Sequence, residues 1–293
     1  MKRTTVTTLV ANLCRAAARR LDRAFAGATR TDSRSRGTSR IGELTSTGAL
    51  CPDVTGGWSL AVLLIGSFLA VASLPAAEQD NWYLADEWDV PGANGVAYEV
   101  NATTGKGRIY VTCGGQNLLR VYETNGTLVR EISGMYYPRD VAVDGNGTIY
   151  VAQRHRVSAY DQNGNNLWNF GSGNHGGSGN GQVKDANGIA VSPAGELFVA
   201  DYNNHRIQVL DRNGTFKRNF GSNGSDPGQF NSPIGIAFLP DGTMAIGDQS
   251  NLHFFQTDGT FIKRTNADGA KSWVSAAPDG TIFSQGRLRD PDG

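Results

Sequence analysis

One stretch near the middle of the chain carries the most information about its architecture: GIAVSPAGELFVADYNNHRIQVLDRNGTFKRNFG, residues 188–221. Four short apolar runs, at 188–191, 197–200, 206–210 and 215–220, are separated by residues typical of turns. One of the turns contains Asn213-Gly214, and Asn-Gly between apolar runs indicates a hairpin because tight type I′ turns need positive φ. The stretch therefore predicts four short antiparallel strands.

The same pattern recurs along the chain. Copies run over 140–153 (DVAVDGNGTIYVAQ), 235–248 (GIAFLPDGTMAIGD) and 273–285 (WVSAAPDGTIFSQ), and a diverged first copy begins at Gly95. The equivalent turn glycines are Gly107, Gly147, Gly195, Gly242 and Gly280, so the repeat period is about 43 residues. A four-stranded unit of this length is typical of one blade of a β-propeller.

Residues 188–221 resemble the NHL repeat, a family whose members form β-propellers. The resemblance extends over residues 91–285, and the second copy keeps His155-Arg156 where the third has His205-Arg206. It implies an all-β fold, a β-propeller of four-stranded antiparallel blades.

The number of repeats predicts about five blades, the last of them incomplete. The repeats lie near 91–134, 135–182, 183–230, 231–270 and 271–293. Propellers of this family typically have six blades, so we expect a truncated six-bladed propeller. The segment 81–89 is expected to add one strand to the last blade.

The formal net charge of zero conceals a division of the chain into three parts. Residues 1–57 carry 10 basic and 4 acidic side chains, residues 58–77 carry none, and residues 78–293 carry 17 basic and 23 acidic ones. We expect 1–57 to be a basic leader that is largely disordered or amphipathic. A cytoplasmic tail, an organellar transit peptide and an extension from a misassigned start all fit this leader.

The uncharged segment 58–77 predicts a signal sequence or a transmembrane anchor. As a helix its 20 residues would be roughly 30 Å long, about the thickness of the hydrocarbon core. Val71-Ala72-Ser73 offers a cleavage site, and whether cleavage occurs stays open. The basic flank would remain inside, so the propeller is expected to be secreted or membrane-anchored, outside the cytoplasm.

Polar side chains at the start of the innermost strands are the candidate binding residues. The aligned positions are Asn94, Arg139, Asn187, Ile234 and Ser272, and Asp140 occupies the next position of the second repeat. We predict that Asn94, Arg139, Asp140 and Asn187 bind a ligand at the mouth of the propeller. Alternatively, these are solvated loop residues, with Arg139 and Asp140 paired to each other.

Metal and catalytic chemistry has weaker support in the sequence. The amidating lyase that resembles these propellers holds a metal with several histidines. In this chain His155 and His205 occupy equivalent positions of two repeats. The equivalent residues of two other repeats, Asn117 and Ser250, do not complete a zinc site. Oxygen donors such as Asp140, Asn94, Asn187 and Glu99 would suit Ca²⁺ better than Zn²⁺. No Gly-x-Ser-x-Gly motif occurs, and we predict no catalytic residue and no cofactor, with Ca²⁺ or Zn²⁺ as the alternative.

The composition also bears on partners and redox state. The net charge of −6 over 78–293, without a clustered basic face, argues against nucleic acid. Cys113 is the only cysteine in that part, so no disulfide framework is expected.

These observations together predict a non-catalytic, extracytoplasmic scaffold that binds a protein, peptide or glycan through variable loops on a rigid ring. The alternative is a metal-assisted enzyme of the amidating-lyase or lactonase type, with its site in the propeller channel.

Overall fold

The structure is a computed structural model of the full chain. It describes residues 58–65, 68–75, 83–100, 106–171, 173, 175–266, 273–277, 280–284 and 287–289. The predicted basic leader, residues 1–57, lies outside the described residues, as does Ser272.

Strands of the N-terminal part form a three-stranded sheet in the order β1-β2-β3. They are β1 (Trp58–Ile65), β2 (Phe68–Pro75) and β3 (Tyr83–Asp89).

Four four-stranded antiparallel sheets follow, each built from strands consecutive in the chain. Sheet 1 contains β4 (Ala93–Val100), β5 (Gly107–Cys113), β6 (Leu118–Glu123) and β7 (Leu128–Ile132). Sheet 2 contains β8 (Pro138–Val143), β9 (Ile149–Gln153), β10 (Arg156–Tyr160) and β11 (Asn166–Phe170). Sheet 3 contains β12 (Ala186–Val191), β13 (Leu197–Asp201), β14 (Arg206–Leu210) and β15 (Phe216–Phe220). Sheet 4 contains β16 (Gly235–Phe238), β17 (Met244–Gly247), β18 (Asn251–Phe255) and β19 (Phe261–Asn266).

The last sheet, sheet 5, has three strands: β20 (Val274–Ala276), β21 (Ile282–Ser284) and β22 (Arg287–Arg289). The first strands of sheets 1 to 5 contact one another in chain order, and we call them the inner strands. This arrangement confirms the all-β propeller of four-stranded antiparallel blades.

The hydrophobic core lies between the faces of consecutive sheets. Sheets 2 and 3 enclose Tyr150, Val157, Ile189 and Leu197, all nearly inaccessible to solvent. Equivalent clusters join sheet 1 to 2, 3 to 4 and 4 to 5. Burying each large aliphatic or aromatic side chain contributes about 1.5–3 kcal/mol, so the sheets stabilise one another through their faces.

The hairpin turns differ in type from the sequence prediction. In the turn after β10, Gly164 N–H donates to Asp161 O (2.9 Å) and Asp161 N–H donates to Asn165 O (3.0 Å). Gly164 has φ +84°, whereas Asn163 stays at negative φ, so the type I′ prediction is wrong. These are three-residue loops, a type I turn closed by a left-handed glycine. Asp161 Oδ1 favours them by accepting two backbone N–H groups.

The transmembrane helix predicted over 58–77 is not found: residues 58–65 and 68–75 are strands β1 and β2. Among the described residues no helix is long and apolar enough to span a bilayer. In the sequence Gly66-Ser67 interrupts the apolar run, and glycine is a poor helix former.

The prediction that segment 81–89 adds a strand to the last blade is wrong, because this segment forms β3, which pairs in the sheet of β1 and β2. Pairing with strands that are near in the chain closes a shorter loop, which costs less conformational entropy.

Candidate functional site

Three polar side chains lie at β-bulges at the start of successive inner strands. The pairing of inner strand and second strand shifts register between Ala93 and Gly95, between Pro138 and Asp140, and between Ala186 and Ile189. The residues at these shifts include Asn94, Arg139 and Asn187. A bulge interrupts the regular alternation of side chains along a strand, so these three residues are released from the in-and-out pattern of their strands. We call this end of the inner strands the mouth.

A left-handed residue precedes each of the three bulges by two positions: Gly92, Tyr137 and Asp185 have φ of +74°, +48° and +68°. Ser232, at the aligned position before β16, has φ +58°, although the pairing of β16 with β17 has no bulge. Glycine is the usual occupant of this conformation, so its recurrence at non-glycine residues is a property of the repeat.

Close contact between inner strands brings the mouth residues together. A Cβ atom on Gly188 would lie 2.2 Å from Ile234 O, and one on Gly95 would lie 2.5 Å from Asp140 Oδ1. Neither distance is compatible with a side chain. These glycines therefore allow the neighbouring backbones to approach closely at the mouth.

Asn94 links sheet 1 to sheet 2. The residue is exposed, and its Nδ2 donates a hydrogen bond to Pro138 O at 3.1 Å. The amide nitrogen of Asn94 thus contacts the start of β8, while the residue as a whole remains exposed to solvent.

Arg139 forms an ion pair with Asp185, at 3.0 Å between Nη2 and Oδ1, and 34% of its side chain is exposed. Its buried Nε has no hydrogen-bond partner among the described residues. The predicted pairing of Arg139 with Asp140 is therefore replaced by a pair with the next sheet. Because Nε is enclosed by the protein, only the exposed part of the side chain can contact a ligand.

Asp140 uses both carboxylate oxygens inside the fold. Oδ1 accepts from Val141 N–H (2.9 Å) and Oδ2 accepts from Ile189 N–H (3.0 Å) on sheet 3. Desolvation by burial raises the pKa of Asp140 to about 7, although the two N–H groups favour the ionised form. The side chain connects two sheets, so its oxygens are less available to a ligand than predicted.

Asn187 is a buried polar side chain without a partner. Its exposure is 8%, and no hydrogen bond to its side chain occurs within the described part of the chain. The amide oxygen and nitrogen reach solvent, where a polar group of a ligand can replace water.

Ile234, the fourth aligned position, is buried, and its N–H donates to Gly247 O. It contributes no polar group to the mouth.

The histidines are distributed among separate sites. His205 Nδ1 accepts from Ser232 N–H at 3.1 Å, and buried His253 Nε2 lies 2.9 Å from Asp248 Oδ2. His155 lies in the β9–β10 connection, and His175 is exposed. In the described residues no three His, Cys, Asp or Glu side chains cluster as metal ligands.

The aligned ends of β5, β9, β13 and β17 carry a different polar network in each sheet. Asp201 in sheet 3 accepts from Arg206 Nε (2.9 Å), Asn204 Nδ2 (2.8 Å) and Gln208 Nε2 (3.0 Å). Sheet 2 has Gln153 and Ser158 at equivalent positions, and sheet 1 has Cys113, a fully buried free thiol. These networks fix the β-strand ends that carry the mouth loops.

Sequence reasoning missed Tyr137 and Arg154 beside the mouth. Tyr137 is 46% exposed, and Arg154 Cζ lies 5.9 Å from the centre of its ring. Aligning Tyr137 with Gly92 would have indicated it, because a large residue at a position suited to glycine is unusual.

Comparison with known proteins identifies the repeat. Residues 184–210 match the model of the NHL repeat family, which confirms the resemblance. "Protein brain tumor" of Drosophila melanogaster is 32% identical over 113 residues, 37% of this chain and 10% of that protein. Peptidyl-glycine alpha-amidating monooxygenase A of Xenopus laevis is 35% identical over 109 residues, 33% of this chain and 12% of that protein. The alignments thus span about a tenth of these relatives.

Solved structures agree on the fold. The nidogen/laminin complex matches with a TM-score of 0.58 and 17% identity over 80% of this chain and 92% of the matched one. A gluconolactonase from Xanthomonas campestris matches with a TM-score of 0.54 and 16% identity, over 69% and 74% of the two chains. At these identities the likeness concerns the fold.

Proposed function

We propose that this NHL-repeat propeller is a non-catalytic scaffold that binds a protein or peptide at its mouth. The observation that carries the proposal is the repeated bulge, which presents Asn94, Arg139 and Asn187 from three successive inner strands. Asn94 is exposed, 34% of the Arg139 side chain is exposed, and the Asn187 amide forms no hydrogen bond with the described residues, so the mouth offers polar groups that a partner's backbone can contact. Interfaces commonly place such groups on rigid scaffolds.

A similar solved structure supports a protein as the partner. It was determined as a complex of two proteins, nidogen and laminin, so this fold occurs in a protein–protein assembly. A glycan, the other partner expected from the sequence, has no comparable support.

The test is affinity enrichment with the tagged full chain from its source cells, followed by quantification of each captured protein. Asn187→Ala and Arg139→Ala should each reduce the captured amount of the same partner severalfold. Arg212→Gln is the matched control, because Arg212 lies in the turn before β15, at the opposite end of the sheets. If mouth and control variants capture the same proteins in equal amounts, the proposal is wrong.

The alternative function is a metal-assisted enzyme of the lactonase or amidating-lyase type. A gluconolactonase and an amidating monooxygenase among the similar proteins favour it. The described mouth residues do not fit a cation site, however. Both Asp140 oxygens accept backbone N–H groups, and Glu99 lies at the far end of β4 from the mouth, where it accepts from Tyr110 at 2.8 Å.

A thermal melt separates the two functions. The full chain is melted in chelator and then with excess Ca²⁺ or Zn²⁺. A specific metal at a hundredfold its dissociation constant adds about 2.7 kcal/mol to the free energy of unfolding. The scaffold is expected to melt at one temperature throughout, whereas a clear rise with either ion would favour the enzyme.

The extracytoplasmic location belongs to the proposal and is supported by the sequence alone. Residues 1–57 are basic and 58–77 are uncharged, a bias that keeps the leader inside and exports the residues after 77. A C-terminal reporter that is active only outside the cytoplasm should be active on the full chain and inactive when 58–77 is deleted. Equal activity in both would refute this location.

A further inference from the structure

An exposed tyrosine occupies a backbone position suited to glycine. Tyr137 has φ +48° and 46% of its surface is exposed; the equivalent residues are Gly92, Asp185 and Ser232, so Tyr137 is the bulky member of the set. A bulky residue in the left-handed region is strained, and such strain concentrates at functional positions. The packing of the core does not require the ring, because the ring is largely outside it.

The surroundings hold this tyrosine in a defined orientation. Tyr137 N–H donates to Asn117 Oδ1 at 2.9 Å. Its ring meets the Tyr136 ring edge-on, with 5.8 Å between centroids and 87° between planes. Tyr136 is itself fixed by a 2.8 Å hydrogen bond from its N–H to Gln153 Oε1. Tyr137 is therefore a rigid, solvent-facing aromatic group.

The charge around Tyr137 is positive. Exposed Arg154 lies over the ring and forms no ion pair within the described part of the chain. Arg156 donates to two neutral acceptors, Gln153 Oε1 (3.0 Å) and Gly134 O (3.2 Å). Burial, and next the charge of Arg154, lower the pKa of His155, so this histidine adds no charge at neutral pH. Asp185 is already paired with Arg139.

We propose that Tyr137, Arg154 and Arg156 form a contact patch, the Tyr137 patch, for an acidic peptide segment of the partner bound at the mouth. Tyrosine and arginine are the residues that most often dominate binding energy at interfaces. Two arginines without acidic partners complement one or two carboxylates. The inference rests on the proposed function and adds the chemistry of the partner.

A peptide fits the patch better than a nucleic acid does. Nucleic acids are bound by extended basic surfaces that follow a row of phosphates. Here the positive charge is confined to one loop pair, and residues 78–293 as a whole carry 23 acidic and 17 basic side chains.

The experiment measures binding of fluorescent ten-residue peptides to the full chain by anisotropy. The probe has four Glu and one Leu in a Gly/Ser background, and its analogues carry four Gln or four Lys. A single-stranded uridine ten-mer is the nucleic-acid arm. The basic leader is present in every variant, so differences between variants report the patch.

The expected result is selective binding of the Glu peptide, weakened about tenfold by Tyr137→Gly and severalfold by Arg154→Gln. Tyr137→Gly should leave the melting temperature unchanged or raise it, because glycine relieves the left-handed strain. Arg212→Gln and Leu167→Ala, at an exposed apolar residue of β11, are controls and should bind like the wild type.

Three results would overturn the inference: equal binding of the Glu and Gln peptides, preference for the uridine ten-mer, or loss of melting temperature in Tyr137→Gly. Failure of the inference differs from failure of the proposed function. In the first case Arg139→Ala and Asn187→Ala still reduce the amount of partner captured from cells, whereas Tyr137→Gly does not. In the second case no variant at the mouth depletes any protein.

Discussion

Asp140 places an ionisable carboxyl where two sheets meet. Its position in the repeat predicts a ligand-binding residue. The structure instead gives each of its oxygens a backbone donor, one of them on the neighbouring sheet. Sequence alignment identifies which residues start the inner strands, but it cannot reveal which neighbour each side chain meets, because the bulge changes the direction of successive side chains.

The raised pKa of Asp140 predicts a pH dependence of stability. Its folded pKa of about 7 exceeds the ordinary value of 3.8. The contribution of Asp140 to the free energy of unfolding is therefore greatest below pH 4. It decreases as the pH rises through 7, by up to about 4 kcal/mol. In Asp140→Asn this decrease should disappear.

Urea unfolding of both proteins between pH 4 and 8 measures the effect. Asparagine loses one acceptor, which lowers the stability of the variant at all pH values but adds no slope. Parallel curves for the two proteins would show that Asp140 is not desolvated in the folded state.

Arg139 shows the same limit of sequence reasoning. Its place at the mouth follows from the repeat, whereas its partner, Asp185, comes from the long loop before β12. Asp185 adopts φ +68°, a conformation that no feature of its sequence required.

At the scale of elements, the spacing of inner strands depends on glycine. A Cβ on Gly188 would lie 2.2 Å from the carbonyl oxygen of Ile234, a backbone atom that cannot move freely. Gly188→Ala should therefore destabilise the protein by about 3 kcal/mol, the upper range for overpacking.

Gly145→Ala is the matched control, because nothing lies within 4 Å of a Cβ at Gly145. Its free energy of unfolding should stay within about 0.5 kcal/mol of the wild type. Chemical denaturation compares the two, and equal stability of both variants would mean that the inner strands are not in close contact.

An ionic network within sheet 3 positions an arginine that also bonds sheet 4. Arg218 Nη2 of β15 donates to Glu196 Oε2 at 2.8 Å and to Thr257 O, in the turn after β18, at 2.7 Å. Lys217 also contacts Glu196. The hydrogen bonds from Arg218 lower the pKa of Glu196 to about 2.

Glu196→Gln should lower the free energy of unfolding by about 2 kcal/mol at pH 7. Because the folded pKa is depressed, this stabilisation is complete above pH 4.5 and is lost as the pH falls towards 2. Wild type and variant should converge in acid. Glu131→Gln removes a more exposed pair with Arg120 and should cost at most about 1 kcal/mol; an equal loss in both variants would refute the network.

The elements themselves were largely predictable. Apolar runs between turn residues located the strands of sheet 3 within one or two residues of their observed ends. The turn type was not, because Asn-Gly suits a two-residue type I′ turn and a three-residue loop equally in sequence. The residue before the loop, such as Asp161, selects the three-residue loop by accepting two backbone N–H groups from it.

At the scale of the whole molecule, the repeat predicted the propeller, and the comparisons confirm an NHL repeat at 184–210. The segment 58–77 shows that composition does not decide between a helix and strands. An uncharged apolar run is compatible with a membrane helix and with strands, and composition alone does not separate them. The structure has strands there.

The measurement that tests the central claim most directly is site-specific photo-crosslinking in the source cells. A benzoylphenylalanine replaces Arg139 at the mouth in one full-length variant and Arg212 at the opposite end of the sheets in another. Position 139 should yield a discrete covalent adduct with one protein, and position 212 should not. The absence of an adduct at 139, or the same adduct at both positions, would contradict a binding site at the mouth.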